Sequence, residues 1–350
     1  MNQRLLIACC SPIDLPGWRW ISGQLDSDRY DWRFFSTAPR NACERMIRRP
    51  DVARLRGCRE LTRCVIREAP NLIVTHGPLT TCWSELFARR RRFGAQSDRA
   101  RIPHLAFTFN FSQLPRGVRR RIMRRAFSTV DRFVVFSNFE RTLYSEYFDI
   151  SSERIDMVHW GVREPPADPG AVPLVAGEYC CAVGSQARDY AGLLDALRRL
   201  PKLRLVLVAS PENLRGLSIP DNVSVRLNIP LSDVHNIVRH SRFVVLPLLH
   251  SEVPCGHVTM VTAMFLGKAV VATESAGISD YVEHGQTGLC APPGDPAALA
   301  DTIRKLWEDA ALCERLGAAG RKFALAHCTE RTTVDYVQRL LDKFESTGGI

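Results

Sequence analysis

Two series of short apolar runs alternating with helix-length segments, separated by a stretch suited to neither, constrain this chain more than any other feature. The first series runs through Leu5–Cys10, Trp32–Ser36, Leu72–His76, His104–Phe109, Arg132–Ser137 and Ile155–His159. Such runs are the mark of strands buried on both faces, and their alternation with helices implies a doubly wound parallel sheet. After His159 the sequence GVREPPADPGAVPLVAGE places prolines at 165, 166, 169 and 173 and glycines at 161, 170 and 177, which interrupts regular structure. The alternation then restarts at Tyr179–Gly184, Leu203–Ala209, Val223–Asn228, Arg242–Pro247 and Ala269–Thr273. The predicted organisation is an α/β domain over 1–162, a linker over 163–178, a second α/β domain over 179–330, and a helix in 331–350. Val334, Val337, Leu340, Leu341 and Phe344 share one face of that last helix, which is predicted to pack back on the first domain.

A length of 350 residues suits two domains, each able to bury a core. With 45% apolar and 24% charged residues the composition is that of a folded protein, which excludes a disordered or fibrous chain. The twelve cysteines are scattered, several within apolar runs such as LLIACC and YCCAV, and read as buried small hydrophobes in a reducing compartment. None has zinc-site spacing, so no metal is expected. The opening MNQRLLIACCS is too short an apolar run to span a bilayer and has no cleavage region, so the expected location is cytoplasmic.

Two segments carry candidate chemistry. In CAVGSQARDYAGLLDALRRL a strand ends at Gly184 and a helix follows, with Asp189 as its cap. Ligands bind beyond the carboxyl ends of such strands, where Gly184 allows close backbone approach and Arg188 can grip a diphosphate with paired hydrogen bonds. A βα turn with a solvated arginine is the plain alternative. In RFVVLPLLHSEVPCGHVTMVTAMFLGKAVVAT a strand ends at Pro247 and a helix begins near Gly256. Gly256, His257, Val258 and Thr259 would then present unpaired N–H groups at the positive end of that helix, a ready anion site.

In the order of these motifs, continued by SAGISDYVEHGQTGL and PPGDPAALADTIRKL, the sequence resembles the family 4 glycosyltransferases, over nearly all of its second half and more weakly over its first. The resemblance implies the GT-B fold, two Rossmann-like doubly wound parallel-sheet domains facing a cleft. It also implies transfer of a sugar from a UDP- or GDP-sugar to a hydroxyl acceptor, sugar or lipid-linked, with retention and without a metal or other cofactor, in polysaccharide or glycolipid assembly. By the same resemblance Thr262 stands where the family places a ribose-binding glutamate, and Glu252 lies in the loop where the sugar-side glutamate is displaced or absent. Ile229 and Leu231 would line the base pocket, or serve as ordinary core. Asn110 takes the place of a histidine near the donor sugar. His76 reaches the strand-end crevice as a second catalytic candidate, against the reading of a structural histidine. Gly17 and Trp18 fall on the acceptor side. The substitutions at 262 and 110 keep open a catalytically weakened nucleotide-sugar-binding protein, and a nucleotide-sugar epimerase is the other alternative.

The net charge of +10 comes mostly from arginine. Between Phe87 and Arg125 the only acid is Asp98. PRGVRRRIMRRAF is predicted to be an amphipathic helix with Val118, Ile122, Met123 and Phe127 toward the core and the arginines between Arg116 and Arg125 outward. That suits an anionic membrane surface, giving a peripheral position at the inner face of the membrane. A merely solvated face comes next, and nucleic acid last, because no nucleic-acid-binding motif accompanies the charge.

Overall fold

In the computed structural model the described residues are 4–11, 20–40, 44, 51–92, 101–168, 170–249, 253–347 and 350. They divide into two compact units, Met1–Val158 with Thr333–Ile350, and His159–Thr332. The segment 163–178 belongs to the second unit rather than standing between the two.

The first unit contains a six-stranded sheet in the order β2-β1-β3-β4-β5-β6, with β1 Leu5–Ser11, β2 Tyr30–Ser36, β3 Leu72–His76, β4 His104–Phe107, β5 Arg132–Val135 and β6 Ile155–Met157. Every pairing is parallel, as in Ile7 opposite Leu72 and Ile73 opposite His104. Helices α1 (Asp51–Glu68), α2 (Pro78–Arg92), α3 (Gly117–Phe127) and α4 (Asn138–Phe148) follow the strands. The last helix of the chain, α10 (Glu330–Thr347), places Val334, Val337, Leu340 and Leu341 in one core cluster with Ile7, Cys9, Leu72, Val74, Leu105 and Phe107.

Two buried networks fix the strand ends that matter below. His104 accepts or donates at both ring nitrogens, to Glu85 Oε1 at 2.7 Å and Thr75 Oγ1 at 2.7 Å, which ties β4 to α2 and β3. After β4 the sequence FTFNF buries Phe107, Phe109 and Phe111, with Phe107 in the core cluster that holds Val134 and Phe109 against Phe133, which alternates to the other face of β5. Phe109 meets Phe133 at 4.7 Å and Phe127 at 4.8 Å between ring centroids, edge to face. The Phe111 N–H donates to Tyr144 Oη at 3.2 Å. Asn110 is therefore held between two anchored phenylalanines.

Helix α3 corrects one expectation. Met123, Ala126 and Phe127 face the core, whereas Val118 is 70% exposed and Ile122 44% exposed. The apolar positions of this helix span more than one stripe, and the core takes the stripe through 123, 126 and 127, which leaves 122 about a quarter turn away and 118 more than about a third of a turn away.

The second unit contains a six-stranded parallel sheet in the order β12-β11-β10-β7-β8-β9, with β7 Cys180–Val183, β8 Leu205–Ala209, β9 Val223–Leu227, β10 Phe243–Leu246, β11 Ala269–Thr273 and β12 Leu289–Ala291. Around it lie α5 (Tyr190–Arg198), α6 (Leu231–His240), α7 (His257–Phe265), α8 (Pro296–Glu308) and α9 (Ala310–His327). Strand β12 was not anticipated, because three residues between a glycine and a proline pair give no periodic signal. It forms where the Gly288 backbone fits against Val270 O, a place in which a Cβ would come within 2.7 Å.

Candidate active site

In the second unit the carboxyl ends of β7 and β10 bring two of the sequence motifs together. Gly184 follows β7 with φ of +118°, and a Cβ there would lie 2.5 Å from Arg188 Nη2. Glycine is required at this position both by its backbone and by the guanidinium packed over it. Arg188 pairs by backbone with Leu248 beyond β10, and its neighbour Asp189 caps α5 by accepting from the Gly192 N–H at 2.9 Å.

The Arg188 side chain is buried and its hydrogen bonds all go to neutral oxygens. Nε donates to Val183 O at 3.2 Å, Nη1 to Gln186 O at 2.8 Å and Nη2 to Thr259 Oγ1 at 3.0 Å. Burial pulls its pKa below the ordinary arginine value. A guanidinium is not deprotonated at any ordinary pH, so among the described residues its buried positive charge has no carboxylate to compensate it.

That charge sits against the start of α7. Gly256 is the N-cap in a left-handed conformation, φ of +90°, with no side-chain cap. The first intrahelical donor is the Met260 N–H, which reaches Gly256 O at 3.1 Å. The N–H groups of His257, Val258 and Thr259 precede it and have no acceptor among the described residues, as expected of a first helical turn. A Cβ on Gly256 would come within 3.2 Å of Leu246 and Leu248, so glycine also lets the helix start close to the end of β10.

His257 points away from solvent. Its ring stacks on Trp160 at 5.9 Å and meets Tyr281 at 4.8 Å, and Nε2 has no hydrogen-bond partner among the described residues. Burial, helped by His159, lowers its pKa to about 4, so the ring is neutral at physiological pH. Val258 is exposed, and Thr262 is half-buried one turn along α7. Ile229 is half-buried against the core, whereas Leu231 at the start of α6 is 67% exposed. Trp160, which supports His257 from the other side of the chain, carried no motif and was missed by sequence reasoning.

In the first unit His76 and Asn110 line one recess of about 250 Å³, open at the ends of β3 and β4. His76 Nε2 pairs with Thr108 Oγ1 at 2.8 Å, and burial lowers its pKa to about 4. Thr108 has a φ of +51° and bends the chain after β4 toward the histidine. Arg54 and Arg119 reach the same recess. Arg54 was not singled out from sequence, and Arg119 was read only as one of the outward arginines between Arg116 and Arg125, not as part of this recess. Gly17, Trp18 and Glu252 lie outside the described residues.

Two parallel α/β units of this kind, the second with a glycine-started helix facing a buried cation at its strand ends, define the GT-B class. Residues 179–309 match the family described as glycosyl transferases group 1, and residues 28–164 match glycosyltransferase family 4. The chain belongs to these group 1, family 4 glycosyltransferases. A lipopolysaccharide core biosynthesis glycosyltransferase, LpsD of Rhizobium meliloti, is 26% identical over 161 residues, 45% of this chain and 46% of its own. The chain spans less than half the length of the curated relatives it matches. Among solved structures, a glycosyltransferase from Rickettsia africae superposes with a TM-score of 0.74 at 13% identity over 99% of this chain and 100% of that one. HepE of Anabaena, solved in complex with UDP, gives 0.70 at 16% identity over 97% and 100%.

Proposed function

We propose that the protein transfers a glycosyl group from a UDP- or GDP-sugar to a hydroxyl acceptor with retention of configuration. The single observation that carries this reading is the buried Arg188 guanidinium, without a carboxylate partner among the described residues, bonded to Thr259 at the uncapped start of α7. A diphosphate supplies the missing negative charge there, with the N–H groups of 257–259 and the guanidinium as donors. In the transfer the bond from the anomeric carbon to the diphosphate oxygen breaks and its electron pair stays on that oxygen. The acceptor oxygen bonds to the anomeric carbon, and its proton passes to the leaving diphosphate. Stabilising the charge that develops on that diphosphate is the main catalytic requirement, and fixed dipoles plus a preset cation meet it. Thr262 takes the ribose side, and Ile229 and Leu231 the base side. His76, neutral, and Asn110 act as hydrogen-bonding groups in the first unit. UDP bound by HepE supports the donor class.

The test is a thermal-shift screen of the full chain against UDP, GDP and their sugars, followed by product analysis of the best donor with and without acceptors. At a hundredfold excess over Kd the stabilisation is about 2.7 kcal/mol, which is easily read as a rise in Tm. Transfer dependent on acceptor supports the proposal. Sugar conversion without acceptor indicates an epimerase, and binding without turnover indicates a weakened enzyme.

Among the described residues no helix is long and apolar enough to cross a membrane. Helix α3 offers a different mode. Val118 and Ile122 stand exposed beside Arg121, which has no ion-pair partner among the described residues, and we propose that this face rests on an anionic bilayer. Replacing Val118 and Ile122 by serine and Arg121 by glutamine is expected to weaken binding to anionic vesicles at least tenfold, since each surface arginine is worth about 1 kcal/mol and each aliphatic side chain as much again. Equal co-sedimentation of variant and wild type rejects this surface.

A further inference from the structure

The recess of the first unit has a charge balance that the donor site does not explain. Arg54 from α1 and Arg119 from α3 line it together with His76, Asn110 and the start of α2, and among the described residues no aspartate or glutamate lines it. Arg119 is exposed and makes no ion pair among the described residues. Helix α2 starts at Pro78 after Gly77 and has no acid in its first turn. Its first intrahelical donor is the Thr81 N–H, to Gly77 O at 3.1 Å, so the Leu79 and Thr80 N–H groups are left at the rim of the recess. His76 is neutral at physiological pH and does not repel a cation or attract an anion. Two cations from different helices and a helix N-terminus thus converge on a space of about 250 Å³, below the size of a drug-sized pocket and suited to a small headgroup.

We propose that this recess holds a phosphate group of the acceptor, so that the hydroxyl receiving the sugar belongs to a phosphorylated molecule. The inference rests on the glycosyltransferase reading above. A carboxylate is satisfied by one guanidinium in a flat, two-bond pairing. A phosphate has three outward oxygens and nearly two negative charges, which match donors arriving from α1, α3 and α2 at once. Asn110, fixed between Phe109 and Phe111, is placed to bond a hydroxyl of the same molecule.

The test uses the full chain saturated with UDP, so that the donor site is filled, and titrates inorganic phosphate by calorimetry. Wild type is compared with Arg54→Gln, Arg119→Gln and the off-recess control Arg199→Gln, an exposed arginine at the end of α5. Phosphate affinity is expected to fall roughly tenfold or more in each recess variant, the loss of one charge-assisted pair, and to hold in the control. Arg119 is exposed, so its variant folds even where the Arg54 variant does not, and Arg119→Lys should recover part of the affinity through its charge. Equal phosphate affinity in all four proteins, or none in UDP-loaded wild type, overturns the proposal. If UDP itself fails to bind, the donor reading fails separately, and titration of the unloaded protein still reports the recess through its dependence on Arg119. The source of the phosphate follows from two further arms. Competition by glycerol 3-phosphate that depends on Arg119 identifies a soluble phosphate ester. Binding to phosphatidate vesicles that depends on Arg119, without such competition, identifies a lipid headgroup.

Discussion

Replacing Arg188 by glutamine is expected to lower kcat/KM for the nucleotide-sugar by about 10²–10³-fold, the usual cost of deleting one preset donor to a developing anion. Stability should change by no more than about 1 kcal/mol, because two effects oppose each other. Removing the side chain deprives Val183 O, Gln186 O and Thr259 Oγ1 of their donor. It also removes a buried positive charge that no carboxylate among the described residues balances, which favours folding. Arg188→Lys keeps the charge but loses the planar fork, so it should recover only part of the activity. Steady-state kinetics with the donor varied, alongside urea denaturation of the same proteins, reads both quantities. Donor turnover within a few-fold of wild type in a folded Arg188→Gln protein would remove the guanidinium from the diphosphate site.

Acidification from pH 7 to pH 4 is expected to destabilise both units, chiefly through one histidine in each. His257 and His76 both have their pKa lowered from 6.5 to about 4 by burial. Between these values the unfolded chain binds a proton that the folded chain refuses, so stability is complete above pH 6.5 and is lost as the pH falls toward 4. A shift of this size is worth about 3 kcal/mol per histidine, a large share of the stability of an ordinary domain. His159 is shifted in the same direction, by burial first, and adds to the slope in the second unit. Urea midpoints measured at half-unit steps should follow this slope, and His257→Gln should flatten it by its share. A stability profile without slope between pH 6.5 and 4 contradicts the buried neutral state of both rings.

The two α/β halves and the amphipathic last helix were legible because each rests on local periodicity, whereas the boundary between the units falls between Val158 and His159, ahead of the proline-rich stretch. A strand buried on both faces must be continuously apolar, and a helix docked by one face must repeat every three to four residues. The start of α7 was legible for a similar reason, since Gly256 before an apolar helix is a local signal. Strand β12 was not legible, because it exists only through the pairing of Leu289–Ala291 with β11. The direction of Val118 and Ile122 was equally hidden, because α3 carries more apolar positions than its contact with the sheet can cover.

Sequence by itself determined the class of fold and the residues from which a diphosphate site could be built, Gly184, Arg188 and Gly256 to Thr259, since strand ends and helix starts are properties of short segments. Only the tertiary structure decided that Arg188 is buried, without a counter-charge among the described residues, and bonded to Thr259, seventy-one positions away. It alone gathered Arg54 and Arg119 with His76 and Asn110 around one recess. Local propensity sets which elements form, whereas the charge balance of a site is a sum over side chains from distant elements, and no window of sequence contains that sum.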